Sequence, residues 1–131
     1  MPAGTTPIFI ATPQTGIVNF ATANTGRDGT GTIATVLTAS ANASFVRRIR
    51  VQAAGTTTAG VIRLFKKVSG GTYRLIREIL VAAITPSTTV EAWSSEWAPD
   101  DGIVLAASDV LGISTHNAET FNAIVEGGGD Y

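Results

Sequence analysis

Residues 45–83 read FVRRIRVQAAGTTTAGVIRLFKKVSGGTYRLIREILVAA. Three runs in this stretch, FVRRIRVQA, VIRLFKK and TYRLIREILV, mix β-branched, aromatic and basic residues in the composition of strands. They are separated by AGTTTAG and VSGG. Glycine and small polar residues suit tight chain reversals, because glycine reaches positive φ at no steric cost. Two short reversals between three strands predict an antiparallel β-meander. The two-residue period is mixed. Phe45, Ile49, Val51 and Ala53 share one face with Arg47, and Tyr73, Leu75, Ile79 and Val81 share one with Arg77. An arginine in an apolar row means either a register-shifting bulge or a dedicated partner. A meander would also set several arginines side by side on one exposed face, which repels unless something negative lies opposite.

The same stretch carries eight of the nine Lys and Arg residues, Arg27 being the other. Nine of the ten acidic residues lie from Glu78 onward, a stretch that contains no Lys or Arg. The formal net charge of −1 therefore hides a basic middle and an acidic end. The basic middle could neutralise phosphates. Against that reading, the isoelectric point is near 5.7 and aromatic residues for base stacking are scarce there. The expectation is protein–protein complementarity, within the chain or between subunits, and no direct nucleic-acid contact.

Outward from this centre the chain is all β. At 131 residues it has the length of one domain and can bury a core. Thr15–Thr22 and Thr32–Thr38 read as strands around NTGRDGTG, residues 24–31. That glycine-rich segment lacks the Gly-Lys-Ser/Thr ending and following helix of a phosphate loop, so it is a turn. After Ala83, strands are expected at Thr88–Ser94, 103–107, 110–115 and 121–126, with a turn at Ala98–Gly102. Eight or nine short strands without helical periodicity mean a β-sandwich or barrel. Residues 1–14, with Pro2, Pro7 and Pro13 around Ile8-Phe9-Ile10, read as an extended docking arm, and residues 15–131 as the sandwich domain.

Chemistry is sparse. Without cysteine, disulfides and thiolate metal sites are excluded, and one histidine, His116 in a loop, makes a transition-metal site unexpected. Asp100-Asp101-Gly102 lacks the alternation of a calcium loop. Glu91 and Glu96 flank Trp93 and Trp97, which would serve as a glycan platform unless the tryptophans are core. The reading is a non-enzyme without cofactor. Only 15% of residues are charged, thin for a free-standing surface, so a partner is expected to cover part of it. No apolar run approaches the ~20 residues of a membrane helix, and MPAGTTPIFIATPQTG has no signal-peptide pattern. The chain is expected to be made in a cytoplasm and to stay there until it joins an assembly.

The TTAGVIRLFKK segment, the YRLIREI strand, the ending VLGISTHNAETFNAIVEGGGDY and the Pro-flanked Thr-rich opening resemble small structural proteins of tailed bacteriophages, some of them head decoration or cement proteins. The resemblance implies a jelly-roll-like antiparallel β-sandwich, assembled as a homo-oligomer, often a trimer, on the capsid surface. It implies the major capsid protein as partner, and no cofactor, no metal and no membrane. Ile8, Phe9, Ile10, Arg48, Arg50, Arg63 and Lys67 are the candidate capsid or subunit contacts. The alternatives are a tail or fibre component binding a glycan through Trp93 and Trp97, or a head–tail connector subunit.

Overall fold

The structure, a computed structural model, describes residues 11–130. Among these residues every regular element is a strand: β1 (Thr12–Pro13), β2 (Ile17–Phe20), β3 (Ala34–Thr38), β4 (Ser44–Val46), β5 (Arg48–Ala53), β6 (Gly60–Lys67), β7 (Tyr73–Val81), β8 (Ser94–Trp97), β9 (Ile103–Leu105), β10 (Val110–Thr115), β11 (Phe121–Glu126) and β12 (Gly129–Asp130). They form three antiparallel sheets, ordered β1-β12-β4-β9, β2-β11-β5-β8 and β3-β10-β6-β7. The first two are halves of one bent sheet, because the same four stretches of chain run through both in the same order. The third sheet faces it, and the result is a β-sandwich.

The bend comes from a few residues. Glu126 pairs with Arg48 and Gly129 with Phe45, so Arg47, Gly127 and Gly128 fall between the two halves. Arg47 is exposed while Val46 and Ile49 are both buried. The buried set changes phase here, from Ser44 and Val46 to Ile49, Val51 and Ala53, while the pairing with β11 and β12 keeps one register across the bend. Arg47 falls in the apolar row of the sequence because the burial phase changes at this bend, without a shift of register. Arg77 has a different origin. Leu64 pairs with Arg77 and Phe65 with Leu75, so Ile76 is the extra residue on β7. Ile79 and Val81 point to the core, whereas Leu75 and Tyr73 sit opposite Phe65 and Lys67 on the outer face. Arg77, at the edge, places its guanidinium 5.8 Å from the Trp97 ring centroid on the other sheet and spans the open side of the sandwich. A second shift of register, at Val36 opposite Leu111 and Gly112, lets Val36 and Leu37 both be buried.

The meander expected over residues 45–83 does not form. β5 pairs with β11 and β8, whereas β6 pairs with β10 and β7, so AGTTTAG crosses from one sheet to the other. Only VSGG makes a hairpin. A six-residue link can serve either connection, and burial chooses the crossing because both strands have apolar faces to cover. The arginines are consequently divided between two sheets. Residues 88–90 form a bend rather than a strand, and the strand begins at Ser94. Ala98–Gly102 is the expected turn, closed by the Gly102 amide on the Pro99 carbonyl at 2.9 Å.

Between the sheets lie Val46, Ile49, Val51, Leu105, Phe121 and Val125 from one side and Val36, Ile62, Leu64, Ile79, Leu111 and Ile113 from the other. Phe121 is the hub, stacked on Phe20 at 5.6 Å and edge-on to Trp93 at 5.9 Å between centroids. The outer face of β10-β6-β7 is also covered. The crossover of residues 21–33 lies over it and brings Gly29 against the Tyr73 carbonyl and Ile33 beside Gly112.

Gly127 sits at φ +65° with its α-carbon facing the Arg47 side chain, so a β-carbon there would be both strained and 3.0 Å from Arg47 Cβ. Gly127→Ala is expected to lower unfolding stability by about 1–2 kcal/mol, measured by urea denaturation. An unchanged midpoint would show that the sheet bend does not require glycine.

Candidate functional site

The acidic end of the chain meets the basic middle inside one molecule. On the outer face of β11-β5-β8, Glu126 accepts from Arg48 at 2.9 Å and from Arg50 at 3.1 Å, and Arg50 reaches Glu96 at 3.5 Å. The strand register dictates this: Arg48 lies opposite Glu126, and Arg50 opposite Glu96. These pairs are solvent-exposed and worth roughly 0.2–1 kcal/mol each. Their larger consequence is neutrality of the face. Lys66 lies 3.9 Å from the buried Asp109.

Arg63 differs from the other cations. It is only 2% exposed, on the outward face of β6 beneath the residue 21–33 crossover. Its Nε donates to Glu78 at 3.1 Å, one terminal nitrogen to the Asn24 carbonyl at 3.1 Å, and the other to His116 Nδ1 at 3.2 Å. Arginine has no acceptor, so His116 Nδ1 must accept here. Glu78 also accepts from Arg27 at 2.8 Å. The Arg27 hydrogen bond and charge, followed by those of Arg63, hold the Glu78 carboxyl below the usual glutamate range. His116, expected as a loop residue, is therefore part of this cluster.

The candidate contacts are distributed as follows. Ile8, Phe9 and Ile10 lie outside the described residues. Arg48 and Arg50 are on the surface but paired. Lys67 is half-buried, its ammonium 5.2 Å from the Tyr73 ring centroid. Arg63 is not a surface group and cannot touch a partner while the crossover covers it. The glycan platform is not assembled either: Trp93 is 7% exposed in the core, and Trp97 lies under Arg77. The structure does not bring Trp93 and Trp97 to one face for a sugar ring. Sequence reasoning missed the Arg63 cluster, since the covering segment and His116 are remote from Arg63 in the chain.

The foot of the N-terminal arm is part of the sheet. Thr12 and Pro13 pair with Asp130 and Gly129, and the Ala11 amide donates to the Asp130 carbonyl at 2.8 Å. Residues 12–13 therefore belong to the sandwich and not to a free arm. The Asp130 carboxylate receives the Ser44 hydroxyl and the Gln14 amide, both at 2.6 Å, and so joins β1, β12 and β4. Among the described residues no three His, Cys, Asp or Glu side chains converge to hold a metal ion, and no helix is long and apolar enough to cross a membrane. A scan against models of known protein families finds none that matches this chain, and a search of curated proteins finds no match.

Hydrogen bonds from Ser44 and then Gln14 hold the Asp130 carboxyl below the usual aspartate range. The folded protein therefore binds fewer protons there than the unfolded chain. The stabilisation is complete above the unfolded value of about 3.9 and is lost as pH falls through the folded one. Asp130→Asn should flatten the decline of stability below about pH 4, read from melting temperatures across an acid series. A variant with the same acid slope as the parent would show that the carboxylate carries no such linkage.

Proposed function

We propose that the protein is a structural component of a tailed-bacteriophage virion, a capsid decoration protein that binds and stabilises the assembled head. The fold supports this reading through its strand order. Counting each bent strand once gives eight runs, arranged 1-8-3-6 in one sheet and 2-7-4-5 in the other. This order supports the jelly-roll reading, an architecture shared by viral capsid domains. Fold alone does not define function, and the sequence resemblance to phage head proteins supplies the rest of the argument.

The observation that carries the reading is the character of the surface. Arg48, Arg50, Glu96 and Glu126 are paired within the molecule, while Leu80, Ile17 and Val104 stand 80%, 62% and 55% exposed. Leu80 lies on β7, a nine-residue edge strand with a free side. A neutral exterior with large apolar side chains at sheet edges suits lateral packing, against the major capsid protein and against further copies of itself in a trimer. Such a protein stabilises a shell because it binds the assembled lattice and not the free coat subunit. In this reading Ile8, Phe9 and Ile10 supply a further apolar anchor.

Attachment dominated by apolar contact should depend little on ionic strength. Purified protein added to shells lacking it is expected to bind in hundreds of copies per shell, about equally at low and high salt. Leu80→Asp and removal of residues 1–10 should each reduce bound copies across the series. Binding of a few copies at a single vertex would instead indicate a tail or connector component.

A further inference from the structure

We propose that the contact between Arg63 and His116 is a pH-sensitive latch on the residue 21–33 crossover. The latch is closed while the imidazole is neutral and opens when the ring takes a proton, the guanidinium then turning to the Ser114 hydroxyl. The inference concerns the free protein and does not rest on its place in a virion.

Donor and acceptor roles fix the closed state. A terminal nitrogen of Arg63 lies 3.2 Å from His116 Nδ1. A guanidinium only donates, so this contact needs the neutral ring with its proton on Nε2. A protonated ring would turn an N–H toward an N–H and add a second positive charge beside the first. Histidine is the side chain that ordinarily changes charge between about pH 5 and 8, and His116 is the only one in the chain. The charged groups around the contact come from three elements: Arg63 on β6, Arg27 in the crossover and Glu78 on β7, the one carboxylate that both arginines bind. Arg27 and then Arg63 hold Glu78 below the usual glutamate range, so it stays an anion throughout this window. Asp28 is turned to Thr30, and Glu119, in the ring's own loop, to the Thr58 amide and hydroxyl. Protonation of His116 would therefore set three cations against one carboxylate.

An acceptor for the open state is already in place. Ser114 lies directly opposite Arg63 in the β10–β6 register, on the same covered face. It is 2% exposed, and its hydroxyl has no hydrogen-bond partner. Residues opposite each other in an antiparallel pair have α-carbons about 4.5–5.5 Å apart, within reach of a guanidinium. His116 is half-buried and follows the end of β10, so its ring can swing to solvent without displacing a core side chain. The buried cation thus has two alternative acceptors, one that titrates and one that does not. Arg63 also holds the Asn24 carbonyl, so a change of acceptor is felt at the crossover.

The test is ¹⁵N–¹H NMR of the full chain between about pH 8 and 5, following the His116 ring nitrogens and the protection of amides against hydrogen exchange. At the upper end the ring should be the Nε2–H tautomer. The Asn24 amide, bonded to the Thr115 carbonyl, reports the crossover. As the ring takes its proton, Arg63 and Ser114 signals should shift with it, and Asn24 protection should fall about tenfold, the loss of one hydrogen bond to a charged group. Protection of Ile113 and Phe121 in the core strands should stay unchanged. His116→Gln, whose side-chain oxygen accepts at every pH, should abolish the response. Ser114→Ala should make the fall at low pH larger than in the parent. An Nδ1–H tautomer at high pH would overturn the proposal. So would Asn24 protection that ignores the ring's titration, the parent's response in His116→Gln, or a response in Ser114→Ala no larger than the parent's.

Discussion

The buried guanidinium of Arg63 is the constraint on which much of the structure depends. A charge at 2% exposure is tolerated only if its donors are matched. Its three matches come from segments far apart in sequence: the Asn24 carbonyl in the first crossover, Glu78 on the neighbouring strand, and His116 at the turn after β10. The contact with Asn24 is what lets residues 21–33 lie across the sheet, with the Asn24 amide also donating to the Thr115 carbonyl at 2.8 Å. Beneath that cover Phe65 becomes fully buried on a face that would otherwise be open to water. One cation thus converts an outer sheet face into a second, smaller packing layer.

Charge segregation along the chain has the same logic at larger scale. A sandwich whose strands cross repeatedly between sheets brings the last third of the chain beside the middle. Glu126 reaches β5 through β11, Glu96 reaches it through β8, and Asp109 approaches Lys66 at the end of β10. Part of the basic middle and part of the acidic end thus pair within one molecule, and the exterior also carries isolated apolar side chains. That surface favours packing and hydrogen bonding over electrostatic steering. It is compatible with a lattice neighbour at the β7 edge.

Most strands and turns were legible in the sequence, because alternation and glycine placement are local signals. VIRLFKK, TYRLIREILV, VLGIST and FNAIVE each appear where their patterns indicate. Pairing was not legible. AGTTTAG carries the residues of a hairpin turn, yet whether six residues fold back or cross to another sheet depends on the apolar faces that the whole chain must cover. The bend at Arg47 and the bulge at Ile76 were hinted at by arginines in apolar rows, a signal that was readable but ambiguous. Arg63 looked like its exposed neighbours because what buries it lies some forty residues earlier. The role of Trp93 likewise depended on Phe121, from the other end of the chain.

The most direct test of this account is the unfolding free energy of Arg63→Ala beside Arg63→Lys. If the guanidinium joins three remote segments, alanine should cost about 3–5 kcal/mol. Lysine, a single ammonium that cannot reach all three acceptors, should recover little of it. A loss below about 1 kcal/mol, the level of an exposed pair, would contradict the claim that Arg63 organises the covered face.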